Sequence, residues 1–242
     1  MTNSKMNSSS DVLCTICARG GSKGVKNKNL LEIAGKPLIA HSIAQAIESG
    51  LYAAVVVSTD SEEIGTTARS YGAEYFFQRP AELAQDTSAK LPVIRHALLE
   101  SEKYFQRQFP VLVDLDATSP LRNVEDLRES LRTFQENDHD VLITGAPARR
   151  SPYFNLVERN DDGSVTLAKK LARPIVRRQD APACFDMNAS IYIWKRDVLI
   201  ASDSLFLERT GLYVMPEERS IDIDSELDLE IVRLLMERKV RA

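Results

Sequence analysis

Short apolar runs alternate with stretches in which apolar positions recur every three or four residues, and the alternation continues from residue 12 almost to the C-terminus. The runs Val12 to Ala18, Ala53 to Ser58, Val111 to Asp116 and Asp140 to Gly145 read as strands, and the periodic segments between them as amphipathic helices. The first helix is expected over Pro37 to Ser49, with Ile39, Ile43, Ala46 and Ile47 on one face and Gly50 as its stop. A second is expected from about Ser61 to Tyr71, followed by a short strand at Glu74 to Phe77. The Asp86-Thr87-Ser88 cluster reads as the cap of a third, with Ile94, Ala97, Leu98 and Phe105 inward, and a fourth covers Val124 to Glu136. Ala189 to Trp194 and Leu212 to Met215 read as strands, and Ile221 to Asp224 as extended backbone. The last helix, Glu226 to Lys239, opens on the capping pair Ser225 and Asp228 and carries Leu227, Ile231, Leu234 and Leu235 as its expected buried stripe. This order predicts an α/β protein with a mostly parallel sheet.

The alternation fails between Pro147 and Met187, where prolines accumulate and an Asp161-Asp162-Gly163 turn separates two expected hairpin strands. Residues 147–187 are therefore expected to form an inserted arm, suited to dimerisation, within one domain spanning residues 11–242. A length of 242 residues supports one sizeable core, and the polar residues 1–10 are expected to form a disordered tail.

A formal net charge of −4 argues against broad nucleic-acid or anionic-membrane binding, which needs basic patches across a face. No apolar stretch approaches the roughly 20 residues that span a bilayer, and Met1 to Ser10 lacks a signal-peptide core, so a cytoplasmic protein is expected. The three cysteines suit a reducing compartment. Cys14 and Cys17 spell C-x-x-C, but residues three apart on a strand point to opposite faces, so packing is their expected role.

Two features carry candidate chemistry. The stretch Ala18 to Leu30 holds three glycines and the basic Arg19, Lys23, Lys26 and Lys28 with no acid among them, directly after the first strand. Glycines let backbone N–H groups approach an anion closely, so the stretch reads as a polyphosphate cradle; a solvated basic turn is the plain alternative. It is neither a G-x-x-x-x-G-K-[ST] loop nor G-x-G-x-x-G. The second feature is a pair of D-x-D motifs, Asp114 with Asp116 and Asp222 with Asp224, at segment ends where open α/β sheets bind ligands. In extended backbone Asp222 and Asp224 face the same side, roughly 6 to 7 Å apart, a spacing suited to a hard divalent cation such as Mg²⁺. Asp114 reads equally as a ligand or as a structural cap.

Taken together, these motifs resemble the cytidylyltransferases that make CMP-activated nonulosonic acids, typified by the CMP-sialic acid synthetases. The resemblance runs from Leu13 onward through Ala18-Arg19-x-x-Ser22-Lys23-Gly24, Lys28-Asn29-Leu30, Val57 to Asp60, Arg79 to Ala84, Thr118 to Arg122, Arg178-Gln179, Asn188-Ala189-x-Ile191-Tyr192 and Asp222-Ile223-Asp224. It implies a Rossmann-like, three-layer α/β/α nucleotidyltransferase fold, a homodimer joined through the arm, and Mg²⁺-dependent transfer of CMP from CTP to a 2-keto sugar acid. Residue by residue, it implies nucleotide contacts for Arg19, Gly20, Gly21, Ser22, Lys23, Lys28, Asn29 and Arg79, with Lys28 and Arg19 at the phosphates. Asp116, Thr118, Ser119, Arg178, Gln179 and Asn188 fall at sugar-side positions, and Asp222 and Asp224 at metal-binding ones.

Two departures bear on the acceptor. Asp116-Ala117 stands where that family usually carries Gln-Pro, and Asp186-Met187-Asn188-Ala189 where it often has Arg-Pro-Asn-Gly. A carboxylate facing an acidic sugar repels it unless it binds metal, accepts hydroxyl hydrogen bonds or meets an ammonium group. The expected acceptor is therefore a sugar acid other than N-acetylneuraminate, such as a legionaminic-type acid, a deaminated nonulosonate or an eight-carbon relative. Other readings are a different sugar nucleotidyltransferase on this fold and a nucleotide-sensing module without turnover.

Overall fold

Period-two alternation in the first strand, β1 (Val12–Cys17), separates the layers of the molecule. Val12, Cys14 and Ile16 belong to one buried apolar cluster and Leu13 to another, the arrangement expected of a strand covered on both faces. The computed structural model describes residues 11–21, 24–173 and 177–241, apart from the side chains of Arg178 and residues 239–241. The expected tail at residues 1–10, together with Ser22 and Lys23, lies outside the described residues.

After β1 the chain forms β2 (Glu32–Ile33), β3 (Lys36–Pro37), α1 (Leu38–Ser49), β4 (Ala54–Ser58), α2 (Glu62–Ser70), α3 (Lys90–Phe105), β5 (Val111–Leu115) and α4 (Val124–Glu136). It continues through β6 (Val141–Pro147), β7 (Val157–Arg159), β8 (Val165–Leu167), β9 (Phe185–Lys195), α5 (Arg196–Ala201), β10 (Thr210–Val214) and α6 (Glu226–Arg241). The central sheet has six strands in the order β10-β6-β9-β5-β1-β4. β1 runs parallel to β4 and β5, and β6 parallel to β10, while β9 is antiparallel to both β5 and β6. Helices α1, α2 and α4 supply one face of the core, through Ile43, Ile64 and Leu127 among others. Helices α3 and α5 supply the other, through Ile94, Leu98 and Leu199. The mostly parallel, three-layer arrangement read from the sequence is present. The chain leaves β1 for β4 on one side and returns to β5 on the other, which makes the carboxyl ends of β1 and β5 a topological switch point.

Cys14 and Cys17 join clusters on opposite sides of the sheet, and both are free. The hairpin expected around Asp161-Asp162-Gly163 is β7 paired with β8. The base of residues 147–187 is closed by β6 pairing with β9, Pro147 opposite Phe185 and Ala146 opposite Asp186.

Four local expectations are corrected. Glu74 to Phe77 makes a single bridge, Val56 with Glu74, because the chain turns away after one pair. Asp86-Thr87-Ser88 does not cap α3: the cap position is Ala89, without a side-chain bond, and Asp86 is engaged by Arg19 instead. Ile221 to Asp224 joins no ladder; one hydrogen bond, Ile223 N–H to the Thr118 carbonyl at 3.0 Å, ties it to the end of the sheet. The stripe on α6 is rotated. Leu227 and Leu234 are 64% and 51% exposed and Ile231 is exposed, Leu235 packs partly buried against the core as expected, and Leu229 and Val232 are buried with Ile223, Val25, Leu38 and Leu121. The cause is the helix start. The Ser225 and Asp228 pair caps it as expected, Ser225 N–H donating to Asp228 Oδ2 at 2.8 Å, and the buried Ile223 just upstream fixes which face turns inward.

Candidate active site

An open cleft of about 390 Å³ lies at the carboxyl ends of β1 and β5, walled by the loop after β1, the segment before α3, and Asp222 with Asp224. The loop is pinned along its length. Ala18 N–H donates to the Ser58 carbonyl, Gly20 N–H to Asp60 Oδ1 at 2.9 Å, and the buried Asn29 amide to the Arg19 carbonyl at 3.0 Å. Asp60 and Asn29 thus hold the backbone of a segment whose sequence alone is compatible with a floppy basic turn. Among the described residues nothing lies within 4 Å of where a Gly21 Cβ would sit. Gly24 has a different reason to be glycine: a Cβ there would fall 2.1 Å from the Asp224 carbonyl oxygen.

That contact joins the two candidate features. Lys28 Nζ donates to the Ile223 carbonyl and lies 3.2 Å from Asp224 Oδ1, so the basic loop and the D-x-D segment meet side by side. Asp222 is half-buried, and its pKa is raised to about 6 by desolvation first, then by the nearby Asp224 and Asp116 carboxylates. Two crowded carboxylates with room for water and phosphate oxygens are a donor set that suits a hard cation. Among the described residues no group of three acidic, cysteine or histidine side chains converges as a closed metal site.

Across the cleft, Lys90 in the first turn of α3 places its ammonium 3.0 Å from Asp116 Oδ2 and 3.3 Å from Asp114 Oδ2. Burial alone would lower the lysine, but Asp116 and Asp114 outweigh it and raise its pKa well above the usual range. Asp116, which burial would raise, is held at about 2 by Lys90 and by hydrogen bonds from Thr118. Its Oδ1 accepts both the Thr118 N–H at 3.1 Å and the Thr118 hydroxyl at 2.8 Å. The carboxylate expected to face the sugar therefore meets an ammonium group from its own chain. A lysine at a helix start carries no distinctive spacing, so nothing in the sequence singles out Lys90.

The family model for cytidylyltransferases matches residues 13–237. The chain belongs to the cytidylyltransferase family. It is 54% identical over 230 residues to a post-translational flagellin modification protein B of Campylobacter coli, covering 95% of this chain and 97% of that one. It is also 54% identical to a CMP-N,N'-diacetyllegionaminic acid synthase of Campylobacter jejuni, over 95% of this chain and 96% of that one. Among solved structures, a CMP:2-keto-3-deoxy-manno-octonic acid synthetase complexed with CTP superposes with a TM-score of 0.68 at 20% identity, over 95% of this chain and 99% of that one. At that identity the likeness speaks for the fold.

In this cytidylyltransferase the residues assigned from the sequence divide into those that meet in the cleft and those that do not. Arg19, Lys28, Asn29, Arg79, Asp116, Thr118, Asp222 and Asp224 line it, as does Gly24, to which the motif assigned no role, whereas Gly20 and Gly21 are not among its lining residues. Arg19 reaches across to Asp86 at 2.5 Å. Arg79 is buried and donates to the Ser58 hydroxyl and carbonyl, bracing the end of β4 beneath the cleft. Ser119 is buried with its hydroxyl unpartnered, and Asn188 is buried in bonds with Thr144 and Ser220, so both sit behind the lining. Gln179 is exposed on the arm, and the Arg178 side chain lies outside the described residues. Asp186 stands apart from the cleft at the base of the arm, where it accepts the Arg149 N–H at 3.2 Å.

Arg122, quoted in the motif but given no role, is the buried strut of the cytidylyltransferase. It donates to the Asp116 carbonyl at 2.9 Å and the Ser190 carbonyl at 3.1 Å from Nη1, and to the Ser42 hydroxyl from Nη2. Arg122→Met strips these acceptors of a charged donor and is expected to cost about 2–3 kcal/mol. Thermal unfolding should show a drop of about 5–10 °C; an unchanged midpoint would contradict the strut.

Proposed function

We propose that this chain transfers CMP from CTP to the anomeric hydroxyl of a 2-keto-3-deoxy sugar acid of the nonulosonic class, releasing pyrophosphate, and that an N,N'-diacetyllegionaminic-type acid is the acceptor. One observation carries the reading: the phosphate-type cation Lys28 and the D-x-D carboxylates meet in a single cleft, with Lys28 bonded to the Ile223 carbonyl and beside Asp224. The choice of acceptor is supported by the 54% identity to the legionaminic acid synthase over nearly the whole chain.

In this reading Arg19, Lys28 and the backbone at Gly21 bind the triphosphate, and Arg19 exchanges Asp86 for phosphate oxygens. The acceptor hydroxyl oxygen bonds to the α-phosphorus as the bond from that phosphorus to pyrophosphate breaks in line, and the hydroxyl proton passes to water in the open cleft. Asp222 and Asp224 would hold Mg²⁺, which when bound supplies positive charge for the phosphates and the leaving group. Positioning and charge complementarity carry the acceleration, and no covalent enzyme intermediate is needed. The nearest thiol, Cys17 in the cleft lining, is kept protonated, its pKa pushed up by burial and then by Asp114. The neutral pairing of Lys90 with Asp116 lets an acidic sugar approach a carboxylate-bearing wall.

We further place the protein in the cytoplasm as a homodimer joined through residues 147–187. Three free cysteines support the compartment, and the exposed Val157, Val165, Phe185 and Met187 support the interface. Pyrophosphate release, measured with each nucleoside triphosphate against a panel of keto-acids and sugar-1-phosphates, tests the function. CTP with diacetyllegionaminic acid is expected to give the highest kcat/KM. A clear preference for N-acetylneuraminate would remove the acceptor assignment. Turnover only with a sugar-1-phosphate, or CTP binding with no release in any pairing, would remove the reading itself.

A further inference from the structure

Two aspartate pairs, each spaced i, i+2, meet at the cleft, Asp116, Asp222 and Asp224 in its lining and Asp114 buried behind Asp116, and they are neutralised differently. Asp114 and Asp116 share one ammonium, with Lys90 Nζ 3.3 Å from Asp114 Oδ2 and 3.0 Å from Asp116 Oδ2. The same nitrogen lies 4.1 Å from the centroid of the Tyr192 ring, so two carboxylates and an aromatic face enclose it much as ligands enclose a metal ion. Asp114 is fully buried. Its Oδ1 accepts the Thr15 hydroxyl at 2.8 Å, and the rest of the carboxylate is answered by the Cys17 thiol, a weak donor, and by the charge of Lys90 beside Oδ2. A buried carboxylate oxygen left without hydrogen bond or cation is costly, which makes the ammonium a requirement of the site. Asp222 and Asp224 form the opposite wall, tied to the first pair by the Thr118 carbonyl and the Ile223 N–H.

We propose that the Lys90 ammonium is a built-in cation, standing between Asp114 and Asp116 where a divalent ion would otherwise bind, and that it confines protein-held metal to Asp222 and Asp224. The proposal rests on the reading of Asp222 and Asp224 as the metal pair. A tethered cation does not dissociate and does not vary with metal supply. With Arg122 bonded to the Asp116 carbonyl from beneath, Lys90, Arg122, Asp114 and Asp116 make a wall with no net charge. Lys90 is thus a positioning residue: it fixes Asp116, whose Oδ1 fixes Thr118, whose carbonyl holds the D-x-D segment.

The test is a titration of the nucleotide-free protein with Mn²⁺, followed by electron spin resonance, for wild type, K90M, K90R and K90M/D116N. K90M is expected to bind one ion more per chain than wild type. K90R, which keeps the charge, and the double variant, which lacks the second carboxylate, are expected to match wild type. Equal counts in K90M and wild type would overturn the proposal. A wild-type count of zero would instead remove the Asp222 and Asp224 reading, because the difference between K90M and wild type is read independently. If K90M unfolds in metal-free buffer, its melting temperature is followed as Mn²⁺ is added. Recovery to the value of K90M/D116N supports the latent site, and no recovery overturns it.

Discussion

Asp222→Asn is expected to yield a protein that is more stable and nearly inactive. Desolvation and the neighbouring Asp224 and Asp116 raise the Asp222 carboxyl from its ordinary value of 3.8 to about 6. Between these values the native state binds more protons than the unfolded state, so the contribution of Asp222 to stability falls as pH rises and its cost is complete above about pH 6. A shift of that size is worth up to about 3 kcal/mol, and water at this partly open site leaves on the order of 1 kcal/mol. The asparagine variant escapes that cost. Its melting temperature should match wild type near pH 4, rise above it through pH 6, and stay above it at pH 7.5. Turnover should fall about 100-fold, because a ligand charge has gone from the proposed metal pair. Added Mg²⁺ should raise the wild-type melting temperature and leave the variant unmoved. Asp224→Asn should lose activity with a smaller gain, since it relieves only the part of the Asp222 shift that Asp224 causes and gives up the ion pair with Lys28. Equal stability of Asp222→Asn and wild type across this pH range would show that Asp222 is not held against its preference.

Gly24→Ala should be the most damaging change in the basic loop, although it adds one methyl group. That methyl would fall 2.1 Å from the Asp224 carbonyl oxygen, so either the loop or the D-x-D segment must move. The contact is backbone on one side and a fixed Cβ on the other, with no flexible side chain to give way. A cost of about 1–3 kcal/mol is expected. Activity should suffer more: a displacement on the order of 1 Å between Lys28 and Asp224 is enough for about a 100-fold loss in kcat/KM. Gly21→Ala is the control, because among the described residues nothing lies within 4 Å of its Cβ position and stability should be unchanged. Pyrophosphate release and thermal unfolding of the two variants, measured side by side, check this. Wild-type kinetics in Gly24→Ala would mean that the two segments need not touch.

These results separate what the chain states locally from what only folding brings together. β1, β4, β5 and β6 are legible because each is a short apolar run, and a buried parallel strand admits little else. The basic loop and Asp222-Ile223-Asp224 are legible because clustered charge of one sign is conspicuous. The stripe on α6 was misread because Leu227, Leu229, Ile231, Val232 and Leu234 support two faces; the choice was made upstream, by burial of Ile223. Asp86 looks like a helix cap in sequence because nothing nearby in the chain competes for it, yet Arg19, distant in sequence, does. Lys90 was invisible for the same reason, its partners Asp114 and Asp116 arriving from β5. The glycine at 24 is legible as a glycine, but its close approach to the Asp224 backbone is not, because that partner is distant in sequence.

β9 has a consequence beyond the sheet. It runs unbroken from Phe185 at the base of the arm to Lys195 at the far end of the sheet, but its pairing with β6 slips between Ile143 and Gly145, and Ala189 adopts a φ of +53°. The strand thus has one irregular joint, at Ala189. On the arm side of the joint Asn188 is anchored to Thr144 and Ser220; on the other, Ser190 takes the Arg122 guanidinium that also grips Asp116. The base of the arm and the Asp116 wall are thus joined along β9 through the short step from Asn188 to Ser190, each end of which is held by its own side-chain bonds.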